Sequence, residues 1–173
     1  DSNDVSFYCL ELSNVRFAVL QQSLSAHPFA KPFNLSSVST QRFPSEDEVR
    51  NFYTSRDTKL NSWSLETILT WRQQDIDYIL QSGRDVDGVL AVKNSHDIEN
   101  FDMCLIDGSE FAGSAELTHL IGSGYILLDD TETFKCRNAF ETLDKHPDYE
   151  LLVHDPYYRN GFAVFKHEAF GAE

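Results

Sequence analysis

Residues 103–108 read Met103-Cys104-Leu105-Ile106-Asp107-Gly108, and residues 125–130 read Tyr125-Ile126-Leu127-Leu128-Asp129-Asp130. Each stretch is a continuous apolar run that ends in acidic residues, and the helical pattern of Ser114–Leu120 separates them. Apolar strands that alternate with helices are typical of a parallel sheet covered by helices on both faces. We therefore predict an α/β fold in which the acidic ends of two adjacent strands lie at one edge of the sheet.

The residues that follow predict one more helix and an antiparallel pair of strands. The helix is expected over Thr131–Leu143, and strands are expected over Tyr149–Val153 and Phe162–Phe165. The turn signal Arg159-Asn160-Gly161 lies between the two strands. This connection is too short for a crossover, so the last two strands are predicted to pair antiparallel.

The beginning of the chain predicts a further strand and helix. Val5–Leu10 is a short apolar run closed by Glu11, and Ser13 is a capping residue for the helix that follows. We predict a second, Ser-rich strand over Phe33–Val38.

A helical segment then interrupts the alternation of strands and helices. Ser45 and Ser64 are helix-capping signals, and Gly83 is a helix stop. This is more helix than a crossover between strands needs. We interpret residues 42–83 as a helical insertion in a single α/β domain that spans residues 1–173.

The composition limits the partners. Among 173 residues there are 28 acidic and 14 basic side chains, which gives a formal net charge of -14. This balance argues against binding to nucleic acid or an anionic membrane, and it is compatible with small molecules or cations. No apolar run approaches the length of a membrane span. The three cysteines have no metal-binding spacing, and their odd number favours a reducing, cytoplasmic location.

Four segments carry a further signal through their order and spacing. They are Phe7-Tyr8-Cys9-Leu10-Glu11-Leu12-Ser13-Asn14, Phe101-Asp102-Met103-Cys104-Leu105-Ile106-Asp107-Gly108-Ser109-Glu110-Phe111, Tyr125-Ile126-Leu127-Leu128-Asp129-Asp130-Thr131 and Arg159-Asn160-Gly161-Phe162-Ala163-Val164-Phe165-Lys166. Together they resemble class I S-adenosylmethionine-dependent methyltransferases, in particular an uncharacterised group related to the FkbM and small O-methyltransferase families. The resemblance implies a Rossmann-like, methyltransferase-type sheet, mostly parallel, with a carboxyl-terminal antiparallel pair.

The chain departs from the family at its amino-terminal end. In the family a first, central strand carries a Gly-rich loop that holds the cofactor, whereas this chain opens on the segment that resembles the second strand. We therefore expect an amino-terminally truncated sheet. Three alternatives for the central position are an upstream segment, Val89–Val92, or a partner chain in a homo-oligomer that completes the sheet.

Acids at strand ends are candidates for chemistry, because ligands of open α/β sheets lie beyond the carboxyl ends of the strands. Asp107, Asp129 and Asp130 are expected to converge there, and three carboxylates suit a hard cation such as Mg²⁺. The alternative is that Asp129 or Asp130 caps the next helix and that Asp107 forms a turn with Gly108.

Two other residues, Glu11 and Lys135, have two interpretations each. Glu11 is placed to accept hydrogen bonds from ribose hydroxyls, or to act as a cap partner of Ser13. Lys135 is either a base or phosphate ligand, or a surface lysine. The resulting predictions are Asp107, Glu110 and Lys135 as catalytic residues, Glu11, Ser37 and Asp107 as cofactor-binding residues, and Asp107, Asp129 and Asp130 as metal ligands.

The resemblance implies methyl transfer from S-adenosylmethionine to a hydroxyl of a small molecule or sugar, with assistance by Mg²⁺ as one version. The first alternative is a non-catalytic Rossmann-like module, or a fragment of a larger glycan-related protein. A nucleotide-sugar transferase is the second, because paired aspartates near a strand end can hold a metal–diphosphate.

Overall fold

The structure is a computed structural model that describes residues 5–171, which contain six strands and six α-helices. The strands are β1 (Phe7–Leu10), β2 (Ala30–Phe33), β3 (Met103–Ile106), β4 (Tyr125–Asp129), β5 (Tyr149–Asp155) and β6 (Phe162–His167). The helices are α1 (Asn14–Leu24), α2 (Glu46–Ser55), α3 (Leu65–Ser82), α4 (Gly88–Ser95), α5 (Gly113–Leu120) and α6 (Phe134–Asp144). Two short 3₁₀ turns cover Thr40–Arg42 and Lys59–Ser62.

The strands form two sheets. One sheet is the parallel pair β1–β2, and the other has the order β3-β4-β6-β5. Strands β3 and β4 are parallel, whereas β6 is antiparallel to both of its neighbours. The predicted α/β class and the antiparallel pair at the carboxyl-terminal end are therefore confirmed. None of the helices among residues 5–171 is long and apolar enough to cross a membrane.

The larger sheet buries one face against α5 and α6. Side chains alternate along a strand, so Ile106, Ile126 and Leu128 point to the same side, where each is almost completely buried. They pack with Leu117 of α5 and Leu143 of α6. This packing fixes the positions of the carboxyl ends of β3 and β4.

Helices α2 and α3 contribute to a second apolar core. Ser45 forms a capping box with Glu48 at the start of α2, Ser64 caps α3, and Gly83 ends α3 with a φ of 68°. The predicted helices of this segment are therefore confirmed. Their buried side chains include Val49, Phe52 and Ile68. These pack with Phe111 and Ala112, which precede α5, and with Phe134 at the start of α6.

Two predictions at the amino-terminal side were wrong. Strand β2 occupies Ala30–Phe33 instead of Phe33–Val38, because the chain turns after Phe33. There the Asn34 side chain donates hydrogen bonds to the carbonyls of Glu11 and Leu12. Residues Val89–Val92 lie in helix α4 and do not fill a strand position.

The helix after β4 starts later than predicted, at Phe134 instead of Thr131. Asp130 adopts a left-handed backbone conformation with a φ of 58°, which aspartate tolerates better than most residues. Thr131 then donates its backbone N–H to the carbonyl of Gly161. The N-cap is Thr133, which makes no side-chain cap hydrogen bond, so neither Asp129 nor Asp130 is the N-cap residue.

The packing of α6 gives a test of the larger core. Leu143→Ala should lower the free energy of unfolding by about 3 kcal/mol, because Leu143 is fully buried between α6 and the sheet. The exposed Leu152 of β5 provides the control, and Leu152→Ala should change stability by less than about 0.5 kcal/mol. Urea denaturation measures both. Equal losses would show that α6 does not pack on the sheet as described.

Candidate functional site

A cavity of about 630 Å³ lies between β1 and β3, each of which is an edge strand of its own sheet. Residues 6–12 line one side and residues from Phe101 to Ser109 line the other. Strand β1 continues through α1 to β2, and β3 continues through α5 to β4, so the connections lead away from the cavity on both sides. Such a point, where the direction of connection reverses, is where open α/β sheets bind ligands.

Glu11 lines this cavity and also binds the start of α1. Its Oε1 accepts a hydrogen bond from the backbone N–H of Ser13 at 2.7 Å. Glu11 is therefore a hydrogen-bond partner of Ser13, which is one of the two interpretations of this residue. A ligand at the cavity would find Oε2 as the remaining oxygen of this carboxylate.

Ser37 also lines the cavity, in the turn that follows β2. Its carbonyl accepts the backbone N–H of Val89 at 3.0 Å, which holds the start of α4 against this turn. The structure thus places Glu11, Ser37 and Asp107, the three predicted cofactor ligands, on the wall of one cavity.

Lys135 connects the acidic ends of β3 and β4. Its Nζ lies 2.7 Å from Asp107 Oδ1, 2.8 Å from Asp130 Oδ2 and 3.5 Å from Asp129 Oδ2. The lysine side chain is only 7% exposed, whereas that of Asp107 is 53% exposed. Lys135 is therefore neither a surface lysine nor a group that is free to bind phosphate. We call these four residues the lysine–aspartate cluster.

The protonation states in the lysine–aspartate cluster follow from these contacts. Burial opposes the charge of Lys135, but hydrogen bonds to Asp107 and Asp130 outweigh it and raise the pKa of the ammonium group. Burial likewise opposes ionisation of Asp107, whose pKa is nevertheless lowered by hydrogen bonds from Lys135 and Asp129. Burial and the neighbouring carboxylates raise the pKa of Asp129. These contacts favour the charged form of Lys135, which makes Lys135 unsuited to act as a base.

The ammonium group lies where the predicted cation was expected. Within residues 5–171, no group of three or more His, Cys, Asp or Glu side chains has an arrangement that could hold a metal ion. A Mg²⁺ ion bound by Asp107, Asp129 and Asp130 would have to displace the Lys135 ammonium, which already lies within 3.5 Å of an oxygen of each carboxylate.

Glu110, which was predicted to be catalytic, faces a different environment. Its Oε1 accepts a hydrogen bond from the Tyr53 hydroxyl at 2.6 Å, and its Oε2 accepts one from Thr133 at 3.1 Å. Burial raises the pKa of its carboxyl group. Glu110 is not among the residues that line the cavity, and its contacts tie α2 to the start of α6.

The sequence analysis missed two acidic residues of the cavity wall, Asp75 of α3 and Glu116 of α5. Burial raises the pKa of both carboxyl groups. Among the described residues, Glu116 Oε2 is buried without a hydrogen-bond partner. A Cβ atom at Gly108 would lie 2.5 Å from Glu116 Oε1, so a larger residue at this position would require the Glu116 carboxylate to move. No spacing rule in the sequence relates these positions.

The charged residues on the wall give the cavity an acidic character. Four of them are carboxylic acids, and one is a guanidinium group. They are Glu11, Asp75, Asp107, Glu116 and Arg16. A cavity with this balance favours ligands that carry positive charge or several hydrogen-bond donors.

Comparisons with protein-family models, curated proteins and solved structures each find no match for this chain. The strand order and the cavity are therefore the observations on which a functional proposal can rest.

The lysine–aspartate cluster can be tested by removing its cation. Lys135→Met should lower the free energy of unfolding at pH 7 by about 2 kcal/mol, less than the roughly 3–5 kcal/mol of a fully buried pair, because water reaches Asp107. The lowered pKa of Asp107 means that its contribution is present above the ordinary aspartate pKa and is lost as the pH falls. The deficit should therefore shrink in acid. Urea denaturation between pH 7 and pH 3 measures it.

The exposed Lys145 supplies the matched control for this test. Lys145→Met removes the same charge without removing a buried partner, so it should leave stability nearly unchanged. A deficit of Lys135→Met that stays constant over the whole pH range would contradict the assigned charge pairing.

Proposed function

We propose that this chain is the catalytic part of a methyltransferase that uses S-adenosylmethionine and acts on a hydroxyl of a small molecule or sugar. The observation that carries the proposal is the cavity between β1 and β3, which has Glu11 on one strand end and Asp107 on the other. A nucleotide cofactor fits such a position, because ligands lie beyond the strand ends where the connections reverse.

The strand order supports a Rossmann-like, methyltransferase-type sheet. Across the cavity the order is β2-β1, then the cavity, then β3-β4-β6-β5, with the last two strands antiparallel to each other. This is the order that the resemblance implies when one central strand is left out.

The residues of the cavity fit the cofactor in volume and charge. About 630 Å³ lies within the range of roughly 300–1,000 Å³ that is usual for small-molecule sites. The sulfonium and ammonium groups of S-adenosylmethionine suit the acidic wall, and Glu11 Oε2 is positioned at the strand end for a ribose hydroxyl. When bound, the cofactor supplies an electrophilic methyl group.

Asp107 is the residue that would handle the acceptor. Its Oδ1 is held by Lys135, and its half-exposed carboxylate leaves Oδ2 to accept the hydrogen bond of an acceptor hydroxyl. The lowered pKa keeps this carboxylate ionised. A hydroxyl oxygen that has gained a methyl group is a strong acid, so even a carboxylate of low basicity can accept its proton at Oδ2. Most of the remaining rate acceleration would come from holding the acceptor hydroxyl in line with the methyl group.

The Mg²⁺-assisted version has a specific requirement. Lys135 would have to leave its three carboxylates before a metal could bind Asp129 and Asp130. Calorimetric titration with Mg²⁺ tests this version, with Asp129→Ala as the site variant and the exposed Asp144→Ala as its control. A heat that Asp129→Ala abolishes and Asp144→Ala preserves would support the metal, and equal heats would exclude this site.

A non-catalytic module is the second candidate, and one observation favours it. Lys135 forms ion pairs with the carboxylates at the ends of β3 and β4, and both Glu110 oxygens accept internal hydrogen bonds. Side chains that are satisfied within the fold can serve structure alone. Cofactor binding separates the two candidates.

Calorimetric titration of S-adenosylmethionine into the chain tests the main proposal. We expect binding that Glu11→Gln weakens by about tenfold, because one charge-assisted hydrogen bond to the cofactor is lost. Glu66→Gln is the control, since Glu66 is exposed on α3 and does not line the cavity. An absence of heat with and without Mg²⁺ would reject the methyltransferase proposal for this chain and leave the non-catalytic module.

A further inference from the structure

Glu116 is the acidic residue of the cavity wall that keeps an unpaired oxygen. It lies on α5, its residue is only 5% exposed, and it lines the cavity between β1 and β3. Among the residues that the structure describes, Glu116 Oε2 is buried without a hydrogen-bond partner. A buried acceptor without a donor is unfavourable, so a ligand that supplies a donor at this point gains affinity from it.

The lysines near Glu116 are engaged elsewhere. The ammonium group of Lys135 lies 2.7 Å from Asp107 and 2.8 Å from Asp130. The ammonium group of Lys93 donates a hydrogen bond to the carbonyl of His119 at 3.1 Å. A positive charge for the Glu116 carboxylate therefore has to come from a ligand.

The other three acids of the wall already have partners within the fold. Glu11 accepts a backbone N–H at the start of α1, and Asp107 is paired within the lysine–aspartate cluster. Asp75 Oδ2 accepts a hydrogen bond from the hydroxyl of Ser109 at 2.5 Å. Glu116 differs from them because the fold leaves one of its buried oxygens for a ligand.

The Glu116 carboxylate lies next to the end of β3. A Cβ atom at Gly108, the residue that follows Asp107, would be 2.5 Å from Glu116 Oε1 and 3.4 Å from Oε2. In the proposed function Asp107 accepts the proton of the acceptor hydroxyl, so the sulfur and methyl group of the cofactor have to lie beside Asp107. Glu116 is therefore close to the reacting end of the cavity.

The chemistry of the cofactor determines which of its groups reaches Glu116. The sulfonium is positively charged but has no N–H to donate, whereas the α-ammonium group has both charge and donors. A short carbon chain joins the α-ammonium to the sulfur. The amino group of the adenine lies beyond the ribose, for which Glu11 on the opposite strand is the proposed ligand. The α-ammonium is thus the donor closest to Gly108 and Glu116.

We propose that Glu116 binds the α-ammonium group of S-adenosylmethionine, so that the cavity selects nucleosides that carry an amino acid. The inference rests on the proposed function, because it assigns a role to a further residue of the same cavity. Glu116 is a specificity residue in this assignment and takes no part in proton transfer. A charge-assisted hydrogen bond is strong when both partners are removed from water.

The surroundings of Glu116 agree with a cationic ligand group. Burial raises the pKa of the Glu116 carboxyl, the Ser37 hydroxyl and the charge of Lys135 oppose this shift, and the charge of Asp107 adds to it. A cation at hydrogen-bond distance favours the carboxylate form. Binding of an ammonium group therefore creates an ion pair that a neutral amide in place of Glu116 cannot form.

Calorimetric titration with a matched pair of ligands tests this assignment. S-adenosylhomocysteine and 5′-methylthioadenosine share the base, the ribose and a neutral sulfur, and only the first carries the amino acid. Glu116→Gln should weaken S-adenosylhomocysteine and S-adenosylmethionine by about tenfold or more, because one charge-assisted hydrogen bond is lost. Binding of 5′-methylthioadenosine should stay within about twofold of the wild type, since it lacks the ammonium group.

Two variants provide the controls for this pattern. Glu11→Gln should weaken all three ligands, because each of them carries the ribose. Glu66→Gln, exposed on α3 and away from the cavity, should leave all three unchanged.

A second variant moves the Glu116 carboxylate without removing its charge. The Cβ atom of Gly108→Ala would push this carboxylate from its position. We expect the same pattern as for Glu116→Gln, with weaker binding of S-adenosylhomocysteine and little change for 5′-methylthioadenosine. Urea denaturation checks the fold of both variants. Glu116→Gln should unfold at no lower urea concentration than the wild type, because Oε2 has no internal hydrogen bond to lose.

The outcomes separate this inference from the proposed function. No binding of S-adenosylmethionine to the wild type would overturn both. Unchanged binding of S-adenosylhomocysteine to Glu116→Gln, or an equal loss for the two matched ligands, would overturn the assignment of the ammonium group alone. Tighter binding of S-adenosylhomocysteine to Glu116→Gln would also overturn it, because the ligand carboxylate would then be the group that faces Glu116.

Discussion

The ammonium group of Lys135 holds together the part of the structure from which any function would arise. It lies among carboxylates from the ends of β3 and β4, and its own helix, α6, packs under the same strands. Without a buried cation, these strand ends would bring three negative charges together in a region of low dielectric constant. The left-handed backbone of Asp130 and the late start of α6 are the local adjustments that bring the lysine into this position.

The periodicity of the sequence was sufficient to predict most elements of the fold. Continuous apolar runs predicted β3 and β4, and capping residues such as Ser45 and Ser64 predicted the starts of α2 and α3. The errors arose where local hydrogen bonds compete with the apolar pattern. Asn34 turns the chain at the residues predicted as a strand, and Val89–Val92 has an apolar pattern that suits a buried helix as well as a strand.

The candidate site was predictable only in part. The acids at strand ends, Glu11 and Asp107, could be placed on one cavity because parallel strands bring their carboxyl ends to one edge. The pairing of Lys135 depends on which side chain of α6 points back toward the sheet, and a single sequence does not encode that direction in any simple spacing. The same holds for Glu116, whose position depends on the close approach of α5 to the loop at Gly108.

The exposed apolar side chains of β3 also affect how molecules of this chain approach one another. An apolar surface formed by residues such as Met103 and Leu105 would draw molecules together, whereas a formal net charge of -14 drives them apart. The repulsion reaches about 10 Å at 0.1 M salt and only about 3 Å at 1 M, while the apolar attraction does not weaken. At low ionic strength the long-range charge therefore opposes contact between these apolar surfaces, and added salt allows two molecules to approach more closely.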